Sequence, residues 1–340
     1  MFDYTDKAAL TANKLTADHG IDLSKLPKID MSTASITEIV HAMNSNCPDE
    51  RMKFVFKNLV DHLHDFVRET SITTEEWMSA LEFLTQTGQG NPSVFDLQPV
   101  AQSDSNYPEF KRLSDVLGVS SLVGSMNDAK PPGATEVSDL GPFFADDALE
   151  FDNGASIASE GKGDYMWVEG KVLDTKGNPI SNCLLHAWEA DGHGMYDVQY
   201  SPGGSDCRGR LRTTDDGSFC FRAVVPVPYL IPVPSDNPVG QLIVSLGRHT
   251  FRPAHLHMML EAPGFETLVT ALYFKGDPFL TSDVVCGVKT SLIVDTTTET
   301  DLAVTRARGF VEAKSHQVLK HNFVLATPEE CAEARKRSIQ

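Results

Sequence analysis

Arg252-Pro253-Ala254-His255-Leu256-His257 is the stretch around which this chain is organised. Side chains at i and i+2 of a strand point to the same face, so His255 and His257 can reach one metal ion from a single extended segment. A polar strand face carrying two histidines without function would read the same way, and the pair alone fits either account. Two tyrosines upstream shift the balance. Tyr196 sits in Gly194-Met195-Tyr196-Asp197-Val198-Gln199-Tyr200, and Tyr229 in Val225-Pro226-Val227-Pro228-Tyr229-Leu230-Ile231-Pro232. A glycine-containing loop and a proline-rich turn are poor places to bury a phenol for packing and good places to hold one rigidly.

Outward from that stretch, composition sets limits. The chain has 340 residues, 22% of them charged and 41% hydrophobic, which is ordinary for a globular protein and enough for about two domains. Its net charge of -18 argues against a nucleic-acid partner, because phosphate binding falls to Lys and Arg, here in deficit. Asp3 and Asp6 stand where an export signal would be basic, so a cytosolic protein is expected. The longest apolar stretch, residues 223–234, is broken by four prolines and is not expected to span a membrane. Cys47, Cys183, Cys207, Cys220, Cys286 and Cys331 show no CxxC spacing. Neither a zinc site nor a disulfide framework is indicated, and free buried thiols are expected.

Residues 1–35 read as an extension with some helix. Ile36, Ile39, Val40 and Met43 then repeat at helical spacing as far as Cys47-Pro48. A longer helix is predicted from Asp49 to Thr70, with Phe54, Val55, Phe56, Leu59, Leu63 and Phe66 on a face wider than one core contact requires. His62 and His64 fall on it, but two residues apart on a helix point to roughly opposite sides, so they are read as solvated or partner-facing. Thr73 and Glu76 form a capping box that opens a helix ending at Gly88, and a further helix is predicted from Phe110 to about Met126.

Pro131-Pro132-Gly133 ends the helical part, dividing the chain into domains of 1–130 and 131–340. Beyond it come short runs rich in Val, Thr, Phe and Tyr, among them 166–173, 183–188, 256–260 and 269–274. Thr214-Asp215-Asp216-Gly217 reads as a hairpin turn between two of them. The predicted fold is mainly β, an antiparallel sandwich whose connecting loops carry the site, preceded by an N-terminal α-helical domain. Thr327-Pro328 opens a short terminal helix. The surplus apolar face of the 49–70 helix leads us to expect a homodimer built through residues of about 36 to 125.

The segments around Tyr196 and Tyr229, the run from Arg252 to His257 and Gly276-Asp277-Pro278-Phe279-Leu280 together resemble the intradiol ring-cleaving dioxygenases, and among these the hydroxyquinol 1,2-dioxygenase subgroup. The resemblance runs from about Thr37 to about Asp295. It implies one non-haem Fe(III) per chain, with Tyr196, Tyr229, His255 and His257 as its protein ligands, Tyr229 being the one a substrate displaces. It implies an aromatic diol and dioxygen as substrates, opening of the ring between two hydroxyls, and a dimer through the N-terminal helices with bound phospholipid. The residue chemistry agrees with iron. Phenolate is a hard anionic donor, whereas zinc sites draw more on Cys, His and carboxylate, and no Cys or Met accompanies the four to favour copper. A free phenol titrates near ~10, so only a strongly Lewis-acidic ion keeps two of them ionised at neutral pH.

Arg252 matches the family arginine beside the substrate ring, where a guanidinium can stabilise developing charge; a surface arginine is its bland alternative. Asp115, the loop Leu140-Gly141-Pro142-Phe143, and Ile231 with Pro232 match the family's substrate pocket. A buried Asp115 could accept a hydrogen bond from a third ring hydroxyl, favouring hydroxyquinol over catechol, or could cap its own helix. Ala271 departs from the family pattern, which has Gln or His there. Catechol or chlorocatechol 1,2-dioxygenase is the alternative within this chemistry. From another class, a non-catalytic β-sandwich binding module would need no tyrosine pair and would be colourless.

Overall fold

The computed structural model describes residues 34–45, 47–89, 108–200, 204–231 and 237–338. The extension expected for residues 1–33, and Pro232 of the expected substrate pocket, lie outside the described residues. The chain divides into two compact units, one up to Glu82 and one from Phe83 onward. The compositional change near residue 130 thus marks where strand-rich sequence begins and not where one compact unit gives way to the next.

In the first unit, α1 (Ile36–Asn44) precedes α2 (Glu50–Thr70), whose N-cap Asp49 accepts the Met52 N–H at 3.0 Å. No residue of α2 is buried within the chain, and Phe54, Phe56 and Leu63 are 58%, 49% and 50% exposed. The capping box that opens α3 (Thr74–Gln89) forms as predicted. Thr73 N–H donates to Glu76 Oε2 at 2.8 Å, and Glu76 N–H donates to Thr73 Oγ1 at 3.2 Å. The helix runs through Gly88 instead of stopping there.

The second unit begins with two helices where one was predicted. α4 (Glu109–Val116) and α5 (Val119–Asn127) are separated at Gly118, whose φ of 72° takes the left-handed conformation that breaks helical geometry. The strands β1 (Tyr165–Asp174), β2 (Leu184–Glu189), β3 (Arg208–Arg212), β4 (Ser218–Val224) and β5 (Tyr229–Leu230) follow. Next come α6 (Pro238–Ser245), β6 (Phe251–Arg252), β7 (His255–Glu261), β8 (Leu268–Phe274), β9 (Ile293–Val294) and β10 (Thr296–Glu299). The chain ends through α7 (Leu302–Ala307), β11 (His316–Lys320), β12 (Phe323–Leu325) and α8 (Pro328–Ser338).

Strands β5 and β6 pair as a separate two-stranded sheet, and the other ten form two five-stranded sheets. One has the order β10-β11-β1-β12 with β4 also paired to β1; the other has the order β3-β2-β7-β8-β9. Most pairings are antiparallel, while β1 meets β11 and β12, and β8 meets β9, in parallel. Met166, Val168, Phe219, Phe221 and Leu319 of the first sheet pack against Leu185, Ala187, Leu256, Met258 and Leu272 of the second, forming the sandwich core.

Two expectations are corrected here. Residues 214–217 make a tight turn, with Gly217 N–H donating to Thr214 O at 2.9 Å, but β3 pairs with β2 while β4 pairs with β1. The turn therefore carries the chain from one sheet to the other and closes no hairpin. Turn residues fix how sharply the chain bends, and the pairing partner of the outgoing strand is decided by distant segments. Among the cysteines, Cys183, Cys207 and Cys331 are buried, Cys47 and Cys220 are half-buried, and Cys286 is exposed. No helix among the described residues is long and apolar enough to cross a membrane.

Candidate metal centre

The pleat of β7 places the histidines. Leu256, Met258 and Leu260 face the sandwich core, so His255 and His257 project from the opposite face of the same sheet. Both rings are buried. His257 stands opposite Trp188 in the ladder with β2, and the two rings stack at 4.8 Å with an interplanar angle of 3°. On the other side β8 pairs Tyr273 with His255 and Ala271 with His257.

The tyrosines arrive on loops braced from behind. Tyr196 donates its N–H to Gln199 Oε1 at 2.9 Å, and the neighbouring Asp197 is locked in a buried ion pair with Arg208. Its ring stacks on Phe143 at 4.3 Å. Tyr229 lies on the two-residue strand β5, paired directly with Arg252 on β6, and its ring stands edge-on to that of Tyr196 at 5.4 Å. Asp277 accepts the Ala254 N–H at 2.8 Å, which fixes the backbone between Arg252 and His255.

The donor atoms converge. His255 Nε2 lies 3.0 Å from His257 Nε2, 3.3 Å from Tyr196 Oη and 3.5 Å from Arg252 Nη1. Donors held about 2.1 Å from one ion at right angles stand about 3 Å apart, so the first two separations suit ligands of a common centre. The tautomer suits it too: His255 Nδ1 lies 2.8 Å from Pro253 O, a group that can only accept, so the proton is on Nδ1 and Nε2 offers a lone pair. His257 Nδ1 is buried without a hydrogen-bond partner. Burial, reinforced by Arg252, holds both imidazoles well below their usual pKa and hence neutral, as ligands must be. Burial and the adjacent Tyr229 phenol push Tyr196 well above the ordinary phenol range. A phenol so placed ionises only against a strong cation, and the set of two phenols and two imidazoles therefore fits a ferric ion. No cluster of three or more His, Cys, Asp or Glu suited to a metal occurs among the described residues.

The other sequence-derived positions sort into walls and supports. Gly141 has φ 73°, and a Cβ there would stand 3.4 Å from His257 Nε2, so the 140–143 loop crosses directly over the donors. Leu140 and Pro142 on that loop are exposed, and Phe143 is buried against both tyrosines. Ile231 packs on the Tyr196 and Tyr229 cluster and also on the cluster that holds Leu113 and Val116 of α4 with Val239, Ile243 and Val284. Asp115, on the same helix, is buried and ion-paired with Lys111 at 2.7 Å. Ala271 is fully buried.

Sequence reasoning missed Asp283, Tyr273, Trp188 and Glu189. Tyr273 has the parity of His255 across the β7–β8 ladder, a signal legible once that pairing is assumed. Glu189 is buried, accepts Val224 N–H at 3.0 Å and leaves Oε2 without a partner, and burial raises its pKa well above the usual carboxyl range.

Residues 140–328 match the dioxygenase family, and residues 49–94 match the catechol dioxygenase N terminus. The chain is 44% identical over 313 residues to an intradiol ring-cleavage dioxygenase, hqdA, of Aspergillus niger, covering 92% of this chain and 90% of that one. It is 41% identical over 291 residues to a hydroxyquinol 1,2-dioxygenase of a Rhizobium species, covering 85% and 94%. A solved hydroxyquinol 1,2-dioxygenase from Pseudomonas putida superposes with a TM-score of 0.76 at 36% identity, covering 87% of this chain and 98% of the other.

Proposed function

The chain belongs to the intradiol ring-cleavage dioxygenases, and on that footing we propose that its substrate is hydroxyquinol, opened with dioxygen to a hydroxymuconate, the tautomer of maleylacetate. The non-catalytic binding module is set aside by the family. The single observation that carries the chemistry is that His257 Nε2 and Tyr196 Oη lie 3.0 and 3.3 Å from His255 Nε2, all three side chains being buried. Tyr196, Tyr229, His255 and His257 would hold one Fe(III). Bound there, the ion supplies the Lewis acidity that ionises phenols and makes a chelated diol reactive toward dioxygen.

The chain's own groups then have separate tasks. Tyr229, on its two-residue strand, takes a proton from the incoming diol at Oη. Arg252 turns Nη1 toward the donors and stabilises negative charge developing on the ring. Phe143 and Ile231 wall the ring and exclude water, with Leu140, Gly141 and Pro142 completing the rim. Asp115 receives the third hydroxyl, the group that separates hydroxyquinol from catechol. Relatives named for hydroxyquinol and for 6-chlorohydroxyquinol, at 41% and 43% identity, support this choice. The protein acts in the cytosol as a homodimer joined through its N-terminal helices, with phospholipid between the apolar faces.

Rates measured with hydroxyquinol, catechol and 4-chlorocatechol on one preparation test the substrate. The highest kcat/KM is expected for hydroxyquinol; an equal or higher value for catechol would overturn the choice while leaving the reaction class intact.

A further inference from the structure

Arg252 has three guanidinium nitrogens, and the structure gives two of them away. Nε donates to Asp283 Oδ1 at 3.2 Å, and Nη2 donates to Asp283 Oδ2 at 3.3 Å and to Tyr273 Oη at 3.2 Å. Only Nη1 faces the donor cluster, 3.5 Å from His255 Nε2. The groups that take the other two are themselves fixed. Asp283 Oδ2 accepts the Gly287 N–H at 2.9 Å, and Tyr273 donates its hydroxyl to the Gly287 carbonyl at 3.3 Å. A Cβ at Gly287 would come within 3.0 Å of Arg252 Nη2 and 3.2 Å of both Asp283 Oδ2 and Tyr273 Oη, so any side chain there would press on all three groups of the clamp. The Arg252 and Asp283 side chains are only 7% and 2% exposed, and Tyr273 is fully buried.

We infer that Asp283 and Tyr273 are positioning residues, which clamp Arg252 so that a single nitrogen, Nη1, is presented to the reacting ring. This rests on the reading of Arg252 given above. The physical need is clear from the charges. A buried guanidinium without its carboxylate would turn toward other acceptors and swing Nη1 away from the ring. Bidentate geometry on one edge prevents that, and Tyr273 closes the remaining hydrogen-bonding direction of Nη2. The clamp also explains a residue type that motif and spacing did not predict. Asp283 lies on the turn whose neighbours Val284 and Val285 pack on α4 and α6, so the carboxylate is anchored to the helix that carries Asp115.

Asp283→Asn keeps the shape and removes the charge. It is expected to lower kcat roughly 100-fold, the cost of a small misplacement of a reacting group, with little change in KM. Iron content, the visible absorption band and the Kd from anaerobic titration of that band with the diol should stay at wild-type values. Combined with Arg252→Ala, it should add no further loss, because a residue that acts through Arg252 has nothing to position once Arg252 is gone. Should Asp283→Asn fail to fold, Tyr273→Phe carries the test by removing one oxygen. It should lower kcat several-fold in the wild-type background and not at all with Arg252→Ala. Losses that multiply in the double variants, or a band lost together with the rate, would overturn the inference. An Arg252→Ala enzyme at full rate would overturn the reading of Arg252 itself, and the clamp with it.

Discussion

His255 and His257 were legible because strand parity is a short-range rule: Leu256, Met258 and Leu260 face the sandwich core, and that commits their neighbours to the opposite side. Tyr196→Phe or His257→Ala should therefore abolish both the visible band and turnover, checked by absorbance and iron assay; colour with full turnover in either variant would remove it from the ligand set. Arg252→Ala should keep the colour and lose about 2.7 to 4 kcal/mol of transition-state stabilisation, read from kcat/KM. Asp115→Asn is expected to weaken hydroxyquinol turnover more than catechol turnover, since only the former offers a third hydroxyl; equal losses would assign the Asp115–Lys111 pair to the fold. Asp283 was illegible for a definite reason. Its partner Arg252 lies 31 residues away, and no periodicity or turn signal connects the two. Ala271 stands opposite His257 in the ladder and offers only a methyl group there.

At the scale of elements, the features that carry their own signal were read correctly. The Thr73–Glu76 box, the helix up to Thr70 and the strand through 256–260 each depend on residues a few positions apart. The split between α4 and α5 at Gly118 and the crossing from β3 to β4 were not, since each is decided by what the outgoing segment meets in space. The terminal helix α8 shows how such docking is secured. Arg335 forks onto Glu266 at 3.0 and 2.9 Å, and the buried Lys130 completes the cluster. The Arg335 bond first, with Lys130 behind it, lowers the Glu266 pKa to about 2 from the ordinary carboxyl value of 4.5. A depressed carboxyl stabilises the fold fully above its unfolded pKa and loses that contribution as pH falls toward about 2. Glu266→Gln should consequently cost about 1 kcal/mol at neutral pH, as expected for a partly solvated cluster. That cost should shrink as the pH falls below 4.5, the ordinary value for such a carboxyl, as thermal melts would show. A cost independent of pH would mean that the side chain's packing, and not its charge, holds the helix.

For the whole molecule, the unspent surface is on α2. Phe54, Phe56, Leu59, Leu63 and Phe66 are all exposed in the single chain, a larger apolar patch than solvent usually meets. Sedimentation at micromolar concentration should show about twice the 37.2 kDa chain mass, and Phe56→Glu or Leu63→Glu should split the assembly or unfold the helical region. A wild-type monomer would leave that face unexplained. The chain has three tryptophans, and only Trp188 lies flat against a ring of the candidate centre. An indole in that position loses its excited state to a ferric–tyrosinate chromophore absorbing nearby. With Fe(III) held by the four proposed ligands, Trp188 would gauge the metal content: ultraviolet emission should dim as Fe(III) is added to metal-free protein, break at one equivalent, and lose that component in Trp188→Phe.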